Sequence, residues 1–240
     1  MRSTTNLAWP ITPFGAGQRP FGKARPMMAT LTVGWAGYVS GPAWACTVYL
    51  NTDSTRCLSL DGQHLNFGFE VLISDESEQP AKLAERLDDI LVACRRQAKI
   101  LVGHGLASDL ARLGSFAVTR RLPGVDAVGQ QWTHRAIKGR GLATMFDTAH
   151  DIGLPKLGDL AAACEYAALK AATVAEPSNT TPAETVQQAI TRTLAITLIA
   201  ARCNGKYHWA TPLDLDQLVT NAAWDHLADL SDSPPEHTVP

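Results

Sequence analysis

Hydrophobic and polar positions change their period several times along the chain, and each change predicts an element. Residues 29–39 are rich in β-branched and aromatic side chains, residues 45–50 form a second such run, and in 66–73 Phe67, Phe69, Val71 and Ile73 alternate with their neighbours. These three runs predict strands. A turn at 37–42 joins the first two, and the connection at 51–66, which carries Asp53, Asp61 and Gly62, has room for a short strand at 56–60. After Pro80 the period becomes helical, with Leu83, Leu87, Ile90, Leu91 and Cys94 on one face and Glu85, Arg86, Asp88 and Asp89 on the other. The apolar run 100–102 predicts a buried strand that breaks at Gly103-His104-Gly105 and passes into a helix with Asp109 in its first turn. Two later helices are predicted. One covers 156–169 with Leu157, Leu160 and Cys164 inward; the other covers 182–203, with Val186, Ile190, Leu194, Leu198 and Ala201 at helical spacing after the polar linker 176–181.

Strands first, then an amphipathic helix, a buried strand and further helices form the order expected of an α/β domain with a mixed sheet covered by helices. That domain is expected over 28–230. Residues 1–27 read as a Pro/Gly-rich arm, irregular but carrying Trp9, Phe14 and Phe21 as anchors, and residues 231–240 read as a disordered tail.

The segment Gly103-His104-Gly105-Leu106-Ala107-Ser108-Asp109-Leu110 resembles the second motif of the DEDD-type 3′–5′ exonucleases, where a strand ends in a Gly/Ala-His-Asn turn and the next helix supplies an aspartate. Met145-Phe146-Asp147-Thr148 looks like the strand-end Asp-Thr that follows in that family, and residues 157–164 resemble its small Leu-x-x-Leu helix. The resemblance covers roughly 28–202 and implies a ribonuclease H-like fold, a mixed sheet flanked by helices. It also implies a chemistry in which four carboxylates hold two divalent ions, Mg²⁺ or Mn²⁺, that activate water and stabilise the leaving oxygen of a phosphodiester.

The departures from the family pattern concern its acids. The first strand, read from Thr32 through Val33, Gly34 and Trp35 to Tyr38, holds no Asp-x-Glu; the last helix, over residues 191–197, holds no Asp, and Tyr207 and His208 fall beyond it. Gly105 stands where the turn Asn belongs. Asp109 alone is too few oxygens for a hard cation. Asp53, Asp75, Glu76, Glu78 and Asp147 are other acids, none at the family's spacing. The expectation is therefore a domain that has lost hydrolysis, needs no cofactor, and binds a protein partner or single-stranded nucleic acid.

Two alternatives follow from the same residues. An active exonuclease would hold its metal with Asp109, Asp147 and a relocated acid. A metal-free biosynthetic enzyme would use His104, Asp109 or His150 for acid/base chemistry on a small molecule, with Arg19, Lys23 and Arg25 as anion holders. Trp35, Trp44 and Trp209 are candidates for stacking on bases, with core packing as the competing role. Asp109 has a competing role too, as a first-turn acid favouring the helix dipole by about 0.3–1 kcal/mol.

Composition narrows this further. A net charge of −2 over 240 residues gives no global attraction to polyanions, leaving Arg95-Arg96, Arg120-Arg121 and the arm cations as local candidates. Cys46, Cys57, Cys94, Cys164 and Cys203 form no Cys-x-x-Cys pair and read as buried free thiols. The absence of any apolar run of about 20 residues or signal-like leader predicts a cytoplasmic protein without membrane contact.

Overall fold

The strand-forming runs pair into one six-stranded sheet. The computed structural model describes residues 1–7, 26–36, 41–52, 56–60, 65–74, 80–116, 121–134, 141–151, 159–171, 174 and 181–222. Strands β1 (Arg2–Thr5), β2 (Met27–Trp35), β3 (Pro42–Asn51), β5 (Phe67–Ile73), β6 (Ile100–Gly103) and β7 (Thr144–Asp147) make this sheet, in the order β1-β5-β3-β2-β6-β7. Each of the first four runs antiparallel to its neighbours among them, whereas β6 runs parallel to β2 and β7 parallel to β6. A short β4 (Leu58–Ser59) lies outside it.

Helices cover both faces, which is why β2 and β3 are buried almost throughout rather than alternating. On one face, α1 (Pro80–Gln97), α2 (Leu106–Ser115) and α3 (Pro123–Thr133) pack over Met27, Ala29, Leu31 and Val33. On the other, α5 (Pro182–Cys203) packs over Met28, Val48, Phe69 and Val102, with α4 (Leu160–Tyr166) beside it. Two small parallel pairs complete the chain: β8 (Leu169–Lys170) with β10 (Leu213–Asp214), and β4 with β9 (Tyr207–His208).

The fold is thus α/β, a mixed six-stranded sheet flanked by helices, as the order of patterns predicts. Several boundaries differ. The first long strand begins at Met27 and ends at Trp35, where the register shifts against β3, instead of spanning 29–39. The expected irregular arm contains β1, an edge strand fixed to β5 by its backbone and by Asn6, whose amide both donates to Phe67 O and accepts from Phe69 N. The helix expected at 156–169 is described only as α4, and Ala168 at φ 53 turns the chain into β8. Trp9, Phe14, Phe21 and the tail 231–240 lie outside the described residues.

Helix α3, absent from the pattern reading above, starts on Pro123 with Asp126 in its first turn but has no local side-chain cap. Its N-cap, Leu122, makes no side-chain bond; instead Asp88 of α1 accepts from Val125 N at 2.8 Å, and α1 lies so close that a Cβ on Gly124 would strike the Asp88 backbone. Among the described residues no helix is long and apolar enough to cross a membrane.

Candidate functional site

The Gly-His-Gly turn sits where β6 ends beside β2 and β7. Gly103, Gly105 and Leu106 make the turn possible in different ways: Gly105 takes a left-handed φ of 66°, and a Cβ on Gly103 would run into Leu106. Thr148 Oγ1 lies 3.2 Å from Gly103 O and 3.0 Å from His104 Nδ1, within hydrogen-bond reach of both.

Asp147, at the end of β7, is buried and organises this turn. Its Oδ1 accepts from Gly105 N at 2.9 Å and Ala149 N at 3.0 Å, while Oδ2 accepts from Trp132 Nε1 of α3 at 3.1 Å. Asp151 in turn accepts from Asp147 N at 2.7 Å. Both oxygens of Asp147 therefore face N–H donors, which stabilise the carboxylate in place and join β7, α2 and α3.

Asp109 is held elsewhere. From the first turn of α2 its Oδ1 accepts from Trp35 Nε1 at 2.9 Å, across the end of β2. The Trp35 ring is capped by the Arg112 guanidinium, 3.7 Å from its centroid, and lies beside Phe116 at 6.1 Å. His104 and Asp147 thus share one turn, whereas Asp109 belongs to a separate aromatic corner. His150 is exposed, with its backbone N–H on Asp147 O, and Arg19, Lys23 and Arg25 lie outside the described residues.

The contact between β2 and α5 is made by hydroxyls. Thr30 and Thr32 of β2 face Thr193 and Thr197 of α5: Thr32 Oγ1 and Thr193 Oγ1 lie 2.5 Å apart, and Thr30 Oγ1 and Thr197 Oγ1 2.8 Å apart. Three of the four are fully buried and Thr32 is 7% exposed. One turn up the helix, Thr193 and Thr197 also bond the carbonyls of Ala189 and Thr193. Beside them burial pushes the Cys46 thiol up to about 12, so it stays neutral. Above Gly34 the Trp44 indole fills the space a Cβ would need. Trp44 and Trp209 are core residues, so only Trp35 of the three tryptophans is placed partly at the surface.

These groups offer no oxygen set for a pair of hard divalent ions, because the contact between β2 and α5 is made of neutral hydroxyls and three N–H donors hold the oxygens of Asp147. Among the described residues no group of three or more His, Cys, Asp or Glu could hold a metal ion. Two cavities, of about 310 Å³ beside Phe67 and Leu218 and about 440 Å³ beside Cys164 and Lys170, are lined by none of the candidate site residues. No family model matches the chain, and neither the curated proteins nor the solved structures contain a significant match.

Sequence reasoning alone missed Arg112, Phe116, Trp132 and the threonine contact. Thr30-x-Thr32 and Thr193-x-x-x-Thr197, placed within apolar runs at strand and helix spacing, were the available signal.

Proposed function

We propose that this chain is a ribonuclease H-like domain, similar to DEDD exonucleases, that has exchanged two-metal hydrolysis for binding of single-stranded nucleic acid. The strand order β5-β3-β2-β6-β7, with three antiparallel strands followed by two parallel to the central one, supports the fold reading. The observation that carries the functional reading is the buried Thr32–Thr193 contact, which joins by neutral hydroxyls the two segments where that family places carboxylates. Charged carboxylates in this dry interface would be costly without their cations.

Binding is assigned to the corner of Trp35, Arg112 and Phe116. A guanidinium stacked on an indole is a flat cationic surface of the kind on which unpaired bases stack. No cofactor takes part in this reading.

The test uses end-labelled single-stranded DNA and RNA with the purified chain in Mg²⁺, Mn²⁺ or EDTA. The expected result is no shortening, and a gel shift that is independent of metal and weakened roughly tenfold by Arg112→Ala. Metal-dependent shortening lost in Asp109→Ala would overturn it in favour of a relocated catalytic site. Neither shortening nor shift would move the binding role to a protein partner.

A further inference from the structure

Away from this site, Cys57 Sγ lies 3.4 Å from His208 Nδ1, and both residues are exposed. We propose that Cys57 is a site of thiol–disulfide exchange with a small disulfide, with His208 as the group that takes up its proton.

The pair is held by backbone rather than by chance side-chain contact. Leu58 N donates to Lys206 O at 2.8 Å and Leu60 N to His208 O at 2.9 Å, which fixes β4 against β9. On either side of His208, Tyr207 and Trp209 are buried, with Tyr207 Oη donating to Asn51 O and Trp209 Nε1 to Ala167 O. The alternation leaves His208 on the outer side, facing Cys57. Arg56 precedes Cys57, and Lys206 stands two residues before His208.

The other cysteines are poor competitors. Burial pushes the Cys46 and Cys94 thiols up to about 12 and Cys164 to about 11. Cys203, at the end of α5, is also raised by desolvation, with Arg202 opposing. Thiolate is the attacking species in exchange, so an exposed thiol beside a proton acceptor reacts first.

In the tautomer with its proton on Nε2, His208 Nδ1 accepts the thiol hydrogen bond. The proton passes to Nδ1 as Sγ attacks one sulfur of the disulfide; a new S–S bond forms and the original one breaks. The departing thiolate recovers the proton from the imidazolium. The sum is protein thiol plus disulfide giving mixed disulfide plus free thiol, with no external oxidant.

The full-length protein is mixed with an aromatic disulfide that releases a coloured thiolate, and with oxidised glutathione followed by peptide mass mapping. One thiol is expected to react ahead of the rest, to map to Cys57, and to disappear in Cys57→Ser but not Cys203→Ser. His208→Gln is expected to slow it roughly tenfold near neutral pH and to remove the imidazole step from its pH profile. All variants should show their full thiol count at one common rate in guanidinium. A fast thiol mapping to Cys203, or an unchanged rate and profile in His208→Gln, would overturn the proposal.

Discussion

The Trp35 indole N–H donates to Asp109 Oδ1 at 2.9 Å, tying the end of β2 to the first turn of α2. Asp109 therefore acts as an acceptor for an aromatic ring, and either an acid or an amide serves that purpose. Asp109→Asn keeps an acceptor but gives up the charge at the start of α2 and is expected to lose less unfolding free energy in urea than Asp109→Ala, which loses about 1–2 kcal/mol. A metal ligand would instead show equal loss of Mn²⁺ affinity in both variants, measured by calorimetric titration.

Asp147 allows no such exchange. Its two oxygens take three N–H donors in a buried setting, so an amide would turn one NH₂ toward a donor. Asp147→Asn is expected to cost about 3 kcal/mol in chemical unfolding and to shift the Trp132 signal, because charge-assisted bonds to buried groups contribute about 1.5–3 kcal/mol and the orphaned donors add to the loss.

The Thr32–Thr193 contact gives a cycle of its own. Each single Thr→Val change leaves a buried hydroxyl with one partner fewer and is expected to cost about 1–2 kcal/mol; the double change, which removes both partners at matched volume, is expected to cost less than the two singles added. Thr32→Asp places a carboxylate in the same dry interface and is expected to unfold the domain well below the parental denaturant midpoint, with Mg²⁺ giving no recovery.

The start of α5 carries a pH dependence. Thr181 donates to Glu184 through its backbone N–H and its hydroxyl, at 2.9 and 3.0 Å, while Glu184 N returns a bond to the Thr181 hydroxyl. Those donors hold the Glu184 carboxyl below its usual 4.5. A depressed folded value means the contribution is complete above the unfolded value and is lost as pH falls through the folded one. Amide exchange in the first turn of α5 is therefore expected to accelerate below the ordinary Glu range, and Glu184→Gln is expected to remove that dependence.

How far the chain could be read from its pattern follows from how local each cause is. Helix α5 brings its own capping box and apolar face, and β5 its own alternation, so both were legible. Helix α3 has Pro123 and Asp126 at its start, but Gly124 and Gly129 dilute its pattern and its cap comes from Asp88, 37 residues before Val125. Strands β8, β9 and β10, of two residues each, are too short to show a period. At the site, Asp109, Asp147 and His104 stood out by type and spacing. Their environments came from Trp35, Trp132 and Thr148, at separations of 74, 15 and 44 residues, which only the sheet brings together.

The hydroxyl contacts between β2 and α5 join residues 161 and 167 positions apart. During synthesis the sheet strands emerge long before the helix that covers them. Until residues 182–203 clear the ribosome, Met28, Val48, Phe69 and Val102 form an uncovered apolar face. The final closure spans most of the chain, a large contact separation that slows folding and lengthens the interval in which that face can associate with others. Expression yield should thus respond to chaperone supply and to truncation within α5 more sharply than to changes at the Gly-His-Gly turn.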